Sequence, residues 1–158
     1  GCLGLSLYVL SITASSASAQ VKTVDQCGQI VTGQAVLAAD LDCSAFSAAP
    51  AITIDGGSLD LAGFRVTGYP DVPSSFVEYD AAIFCIPRKP CEIIGPGEVV
   101  GGNNGISANR LKLTAVTVRG NAAYGIYGYS LDGETLSLSK INVSAAQITE
   151  NGEGGNPR

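Results

Sequence analysis

The sequence contains no His, no Met and no Trp, and only 15% of its residues are charged. Without His the chain has no side chain that titrates near neutrality and no imidazole ligand for a transition metal. Nine Lys and Arg are scattered among fourteen Asp and Glu, for a formal charge of −5. Phosphate backbones demand clustered cations, so no nucleic-acid partner is expected. After the first twenty residues no long apolar run remains, and no membrane span is expected. What is abundant is Gly, at twenty residues, together with β-branched side chains. That composition favours a tightly turned β protein large enough to bury one core.

The apolar run at the start, Leu3 to Ile12, is too short to cross a bilayer and leads into Ala17-Ser18-Ala19 before Gln20. Small residues at that spacing are what a signal peptidase accepts, so residues 1–19 read as a signal peptide that lacks its own beginning. A buried N-terminal helix is the alternative reading. Export would place the chain in a secreted or periplasmic compartment. Setting aside Cys2 leaves Cys27, Cys43, Cys85 and Cys91, an even set suited to an oxidising environment. Pairing by nearness joins Cys27 to Cys43 and Cys85 to Cys91, and the first loop alone is worth roughly 3 kcal/mol of chain entropy. A zinc site is the rival reading, weakened by the absence of His and of a CxxC pair.

A short pattern recurs. "LKLTAVTVRGN", Leu111 to Asn121, and "INVSAAQITEN", Ile141 to Asn151, both read apolar-x-apolar-x-x-apolar-x-apolar-x-x-Asn. "LDLAGFRVTGY" places Leu59, Leu61, Phe64 and Val66 in the apolar slots, and "EIIGPGEVVGG" fills only two, with Ile94 and Val99. The last apolar slots, Val66, Val99, Val118 and Ile148, stand 33, 19 and 30 residues apart. Alternation means strand, and two short strands joined by a bend cannot bury an apolar face alone. Successive copies must therefore stack as parallel strands about 4.8 Å apart. "GGNNGIS" and "GNAAYGIYG" read as corners, where Gly supplies positive φ. Asn103 or Asn104, Asn121 and Asn151 either stack as an amide ladder or sit independently in turns.

"CGQIVTGQAVLAADLDC", then "AITIDGGSLDLAGFRVTG" and the later GN-x-x-x-GI corners, resemble the opening of exported bacterial right-handed parallel β-helix proteins of the pectate-lyase-like superfamily. The resemblance spans about Gln26 to Gly155. It implies an all-β, right-handed, single-stranded parallel β-helix with a disulfide-linked N-terminal cap. Residues 20–50 are then cap and first coil, and residues 51–158 are coils. No C-terminal cap follows "ITENGEGGNPR", so the coils are expected to continue. Many such proteins act on acidic polysaccharides, so a polysaccharide is the expected partner of a monomeric chain, as a polysaccharide lyase or glycoside hydrolase if an enzyme at all.

No catalytic signature accompanies the resemblance. Two outward columns, Asp60, Ile93, Lys112, Asn142 and Arg65, Glu98, Thr117, Gln147, bring no two carboxylates together on adjacent coils and read as a solvated face. One insertion stands out between Val66 and Ile83, with Tyr69, Phe76 and Tyr79 beside Asp71, Glu78 and Asp80. Aromatic rings stack on sugars, and carboxylates accept hydroxyl hydrogen bonds or hold calcium. No cofactor is evident, and calcium is the ion for which such a loop carries suitable oxygens. "CIPRKPC" adds Arg88 and Lys89, two cations suited to a uronate. Tyr69, Phe76, Glu78, Tyr79, Asp80, Arg88 and Lys89 are therefore the candidate ligand-binding residues, with packing lids as the alternative role. Asp132-Gly133 reads as a turn, and no metal ligand is assigned. Three readings follow: a carbohydrate-active protein, a non-catalytic surface or adhesin-like module, and a passenger segment of a larger secreted protein.

Overall fold

A computed structural model describes residues 20–47, 50–70, 80–129 and 141–152. The expected signal segment, most of the long insertion, the region of Asp132-Gly133 and residues 153–158 lie outside the described residues. Among the described residues there is no helix. Strands form at β1 (Lys22–Val24), β2 (Gln29–Leu37), β3 (Leu41–Asp42), β4 (Ile52–Asp60), β5 (Arg65–Thr67), β6 (Ala81–Cys85) and β7 (Cys91–Ile94). They continue as β8 (Glu98–Val100), β9 (Asn104–Ala108), β10 (Leu111–Thr114), β11 (Thr117–Arg119), β12 (Tyr124–Gly128), β13 (Ile141–Ser144) and β14 (Gln147–Thr149).

Every pairing among these strands is parallel. One sheet runs β3-β5-β8-β11-β14, and the other nine strands form the second. In the larger sheet, β4 pairs through Ile52, Thr53 and Ile54 with β6, and through Gly57 to Asp60 with β7. β6 and β7 are thus the two halves of what β4 runs as one strand, parted by the loop 86–90. The chain repeatedly crosses between the sheets and returns to the same neighbour in register, which is compatible with a β-helix-like path.

Three columns of side chains explain the stacking. Ile52, Ile83 and Ile106 are in register, as are Leu59, Ile93 and Leu113, and Val66, Val99 and Val118, and all nine are fully buried. Each contributes about 1.5–3 kcal/mol of hydrophobic burial, available only because a neighbouring copy supplies the opposing surface. In the last copy Val143 and Ile148 hold equivalent positions but are 40% and 45% exposed, since no described strand lies beyond β13 or β14. Ile141 is half-buried.

The register corrects the alignment of two copies. Leu59 and Ile93 oppose Leu113, not Leu111, and Glu92 opposes Lys112. Ile93 therefore points inward and Glu92 outward, the reverse of the fixed-spacing reading. The outward column of the larger sheet is accordingly Ser58, Glu92, Lys112 and Asn142, without Asp60 or Ile93. The cause is the bend between the sheets: it spans 61–64 in one copy, 95–97 in the next and 115–116 in the third. A bend longer by one residue flips every side chain that precedes it. The Val66, Val99, Val118 and Ile148 column keeps its expected register.

The amide ladder forms at Asn121 and Asn151. Asn121 donates to Asn151 Oδ1 through Nδ2 at 2.8 Å and through its backbone N–H at 3.2 Å. One copy earlier the slot holds Gly102, whose N–H donates to Asn121 Oδ1 at 3.0 Å. Asn104 instead begins β9 and Asn103 precedes it, so neither extends the ladder. Both disulfides pair as nearness in sequence suggests, Cys27 with Cys43 and Cys85 with Cys91. The first joins the segment that leads into β2 to the end of β3. β1 lies against the second half of β2, through Ala35 to Leu37.

Candidate functional site

Two short connections decide what the larger sheet presents to solvent. β6 joins β7 through the loop 86–90, which the Cys85–Cys91 bridge closes with a Cα separation of 5.8 Å. β9 joins β10 through Asn109 and Arg110. Arg88 in the first loop is exposed and has a left-handed backbone, φ 63. Lys89 lies with its stem over Gly56 and its ammonium paired to Asp55 on β4. The Lys89 charge is therefore largely spent within the fold.

The other expected ligand residues are dispersed. Tyr69 is half-buried at the start of the insertion, and Phe76, Glu78 and Tyr79 lie outside the described residues. Asp80 is buried. The described residues assemble no aromatic platform at these positions.

Several outward charges are paired across copies. Glu92 on β7 pairs with Lys112 on β10 at 2.6 Å. Glu98 on β8 receives Arg65 from β5 at 2.8 Å and Arg119 from β11 at 3.1 Å, so one carboxylate links three strands of the smaller sheet. Burial alone would raise the Glu98 pKa, but hydrogen bonds and charge from Arg65 and Arg119 outweigh it and hold the carboxyl below its ordinary value. Asp42 is lowered by hydrogen bonds from the Ser44 backbone N–H and then its hydroxyl. Asp60 accepts the Ala62 N–H at 2.8 Å, and Asp40 accepts the Arg65 N–H at 2.8 Å. Asp42 and Asp60 shape turns, while Asp40 ties together segments 25 residues apart. Among the described residues no three His, Cys, Asp or Glu come close enough to hold a metal.

The exception is a groove of about 380 Å³ on the outer face of β7, β10 and β13, lined by Pro90, Glu92, Arg110, Leu111, Lys112 and Asn142. Glu92, Lys112 and Asn142 stand in one register, one per strand. Arg110 is exposed and makes no ion pair among the described residues. The groove thus combines an apolar flank at Pro90, a row of hydrogen-bonding groups and a guanidinium open to an incoming anion. Nothing local in the sequence marks Arg110 as different from other surface cations, and sequence reasoning passes over it.

A second depression, about 410 Å³, lies between β14 and the edge of β12 that no described strand pairs, lined by Tyr124, Gly125, Ile126, Ile148, Glu150 and Asn151. Tyr124 is 54% exposed and its ring lies 5.7 Å from that of Tyr127. Tyr124 is the most exposed aromatic side chain among the described residues, at a position whose sequence marks only a corner. No described helix is long and apolar enough to cross a membrane. Two disulfides are consistent with an oxidising compartment. Compared with known families, curated proteins and solved structures, the chain matches none.

Proposed function

We propose that this chain is an exported module wound as a right-handed, single-stranded parallel β-helix, resembling the pectate-lyase-like superfamily, and that it binds a polysaccharide without cleaving it. The ligand lies along the outer face of β7, β10 and β13. The observation that carries the reading is the groove in which Glu92, Lys112 and Asn142 repeat strand by strand beside Arg110, which has no acid partner among the described residues. A linear glycan has the same kind of repeat, and a row of polar groups beside a guanidinium suits its hydroxyls and any carboxylates it carries. The carboxylates engaged in ion pairs and turns support binding over hydrolysis, which needs two free acids flanking one bond.

Affinity electrophoresis against neutral and uronate polysaccharides tests the idea. Arg110→Ala combined with Lys112→Ala is expected to weaken retention at least tenfold, with the fold unchanged by circular dichroism. Equal retention of variant and wild type refutes the groove. Release of reducing ends refutes the non-catalytic part. The ion pairs that lace successive strands favour a second reading, a stiff structural or adhesin-like module, which retention by no polysaccharide at all would support.

A further inference from the structure

The column of side chains that passes through the groove does not stop at its edge. Gln34 on β2, Ser58 on β4, Glu92 on β7, Lys112 on β10 and Asn142 on β13 stand in one register, so five neighbouring strands each present one outward side chain. All five carry hydrogen-bonding groups, and none is buried. Glu92 and Lys112 pair with each other. The side chains of Gln34, Ser58 and Asn142 make no hydrogen bond among the described residues. Two residues further along the same strands a second outward column holds Val36, Asp60, Ile94, Thr114 and Ser144. Its polar members are engaged: Asp60 accepts the Ala62 N–H, and the Thr114 and Ser144 hydroxyls lie 3.3 Å apart. The open hydrogen-bonding capacity therefore lies in the first column.

Parallel pairing sets these side chains about 4.8 Å apart along the stack. A chain molecule that uses all five must run across the strands and offer a polar group at nearly that interval. A pyranose chain does so when its linkages keep it straight, as β-1,4 linkages between equatorial positions do. With α-1,4 linkages the same glucose chain coils and leaves the row. The row also selects on charge. An acid on every sugar would set carboxylates against Glu92 and Asp60, and like charges at that distance repel. Lys112 is neutralised by Glu92, which leaves Arg110 beside the row for a lone acidic substituent.

We infer that this row sets the specificity of the polysaccharide site: it takes a straight glycan with a neutral backbone, laid across the strands with one sugar to each. Gln34 and Ser58, both outside the groove, are its far contacts. The inference rests on the polysaccharide reading above and adds to it the linkage class, the direction of the bound chain and two residues.

Isothermal titration with cello-, manno- and malto-oligosaccharides and with oligogalacturonates, each from two to eight sugars, provides the test. Cello- or manno-oligosaccharides should bind more tightly with every sugar up to five and then level, one sugar for each strand of the row. Malto-oligosaccharides should bind more weakly at every length above three, and oligogalacturonates should not surpass the neutral series. Gln34→Ala and Ser58→Ala should each weaken the pentamer about three- to tenfold, leave the disaccharide unchanged and keep the circular dichroism of the wild type. Affinity that levels short of five sugars, malto-oligosaccharides that bind as tightly as the straight chains, tighter oligogalacturonates, or silent variants overturn the row and leave the groove standing as a polysaccharide site. Binding in none of the four series also overturns the row, and the polysaccharide reading falls with it only if affinity electrophoresis shows no retention either.

Discussion

Replacing Glu98 by Gln removes one negative charge from between Arg65 and Arg119 while preserving the shape of the side chain. The three side chains are 30% to 48% exposed, so water and salt weaken both pairs, and each is worth about 0.5 kcal/mol. Near neutrality the variant should lose about 1 kcal/mol, a drop in melting temperature of about 2–4 °C. The pH profile is more diagnostic than the magnitude. Glu98 is held below the value it has in an unfolded chain, about 4.3. Its contribution is therefore fully present above that value and disappears as pH falls through the native value. Urea titrations of both proteins from pH 7 to pH 3 should show a constant gap that closes only in the acid range, and high salt should narrow it. A gap that stays constant down to pH 3, or widens, would refute the charge argument. Arg65→Ala and Arg119→Ala, each combined with Glu98→Gln, should show coupling to both arginines, because the carboxylate links three strands.

Two glycines separate crowding from backbone strain. Gly57 has φ +151 and a Cβ there would stand 2.0 Å from the Gly33 carbonyl oxygen, so Gly57→Ala must part β2 from β4 and should cost at least about 3 kcal/mol in chemical denaturation. Gly120, with φ +62 and open space around it, should cost only about 1 kcal/mol as Ala. Asn121→Ala leaves the Gly102 N–H without its acceptor and strips Asn151 Oδ1 of its side-chain donor, leaving it only the residue 121 backbone N–H, and should lose about 2–3 kcal/mol. A smaller loss than Gly120→Ala would show that the ladder does not hold these corners together.

The inward half of the pattern was legible because one physical demand acts on every copy. Val66, Val99, Val118 and Ile148 all meet the same apolar column, so their identities recur at any spacing along the chain. The bends were not legible to the same degree. Ala62, Ala115 and Ala145 all take left-handed backbone conformations in them, φ 51, 56 and 50, which residue type does not announce. Gly95 shows why the bend of its copy differs. A Cβ there would lie 1.9 Å from the Ala115 carbonyl oxygen, so the position is constrained by the bend of the following copy. Close approach between copies, not local propensity, sets the register that a fixed-spacing alignment misassigns.

The outward face follows a different rule. Whether a surface cation is free depends on what the adjacent copy places beside it. Lys89 and Arg110 look equivalent in the chain, yet Lys89 meets Asp55, 34 residues away, while Arg110 meets no acid among the described residues. Likewise Lys112 is drawn to Glu92 only because the longer bend turns Glu92 outward. A binding face on such a scaffold is defined by the charges that stacking leaves over. The register must be known before the site can be, and Arg110, unremarkable in the sequence, becomes the residue on which the binding proposal turns.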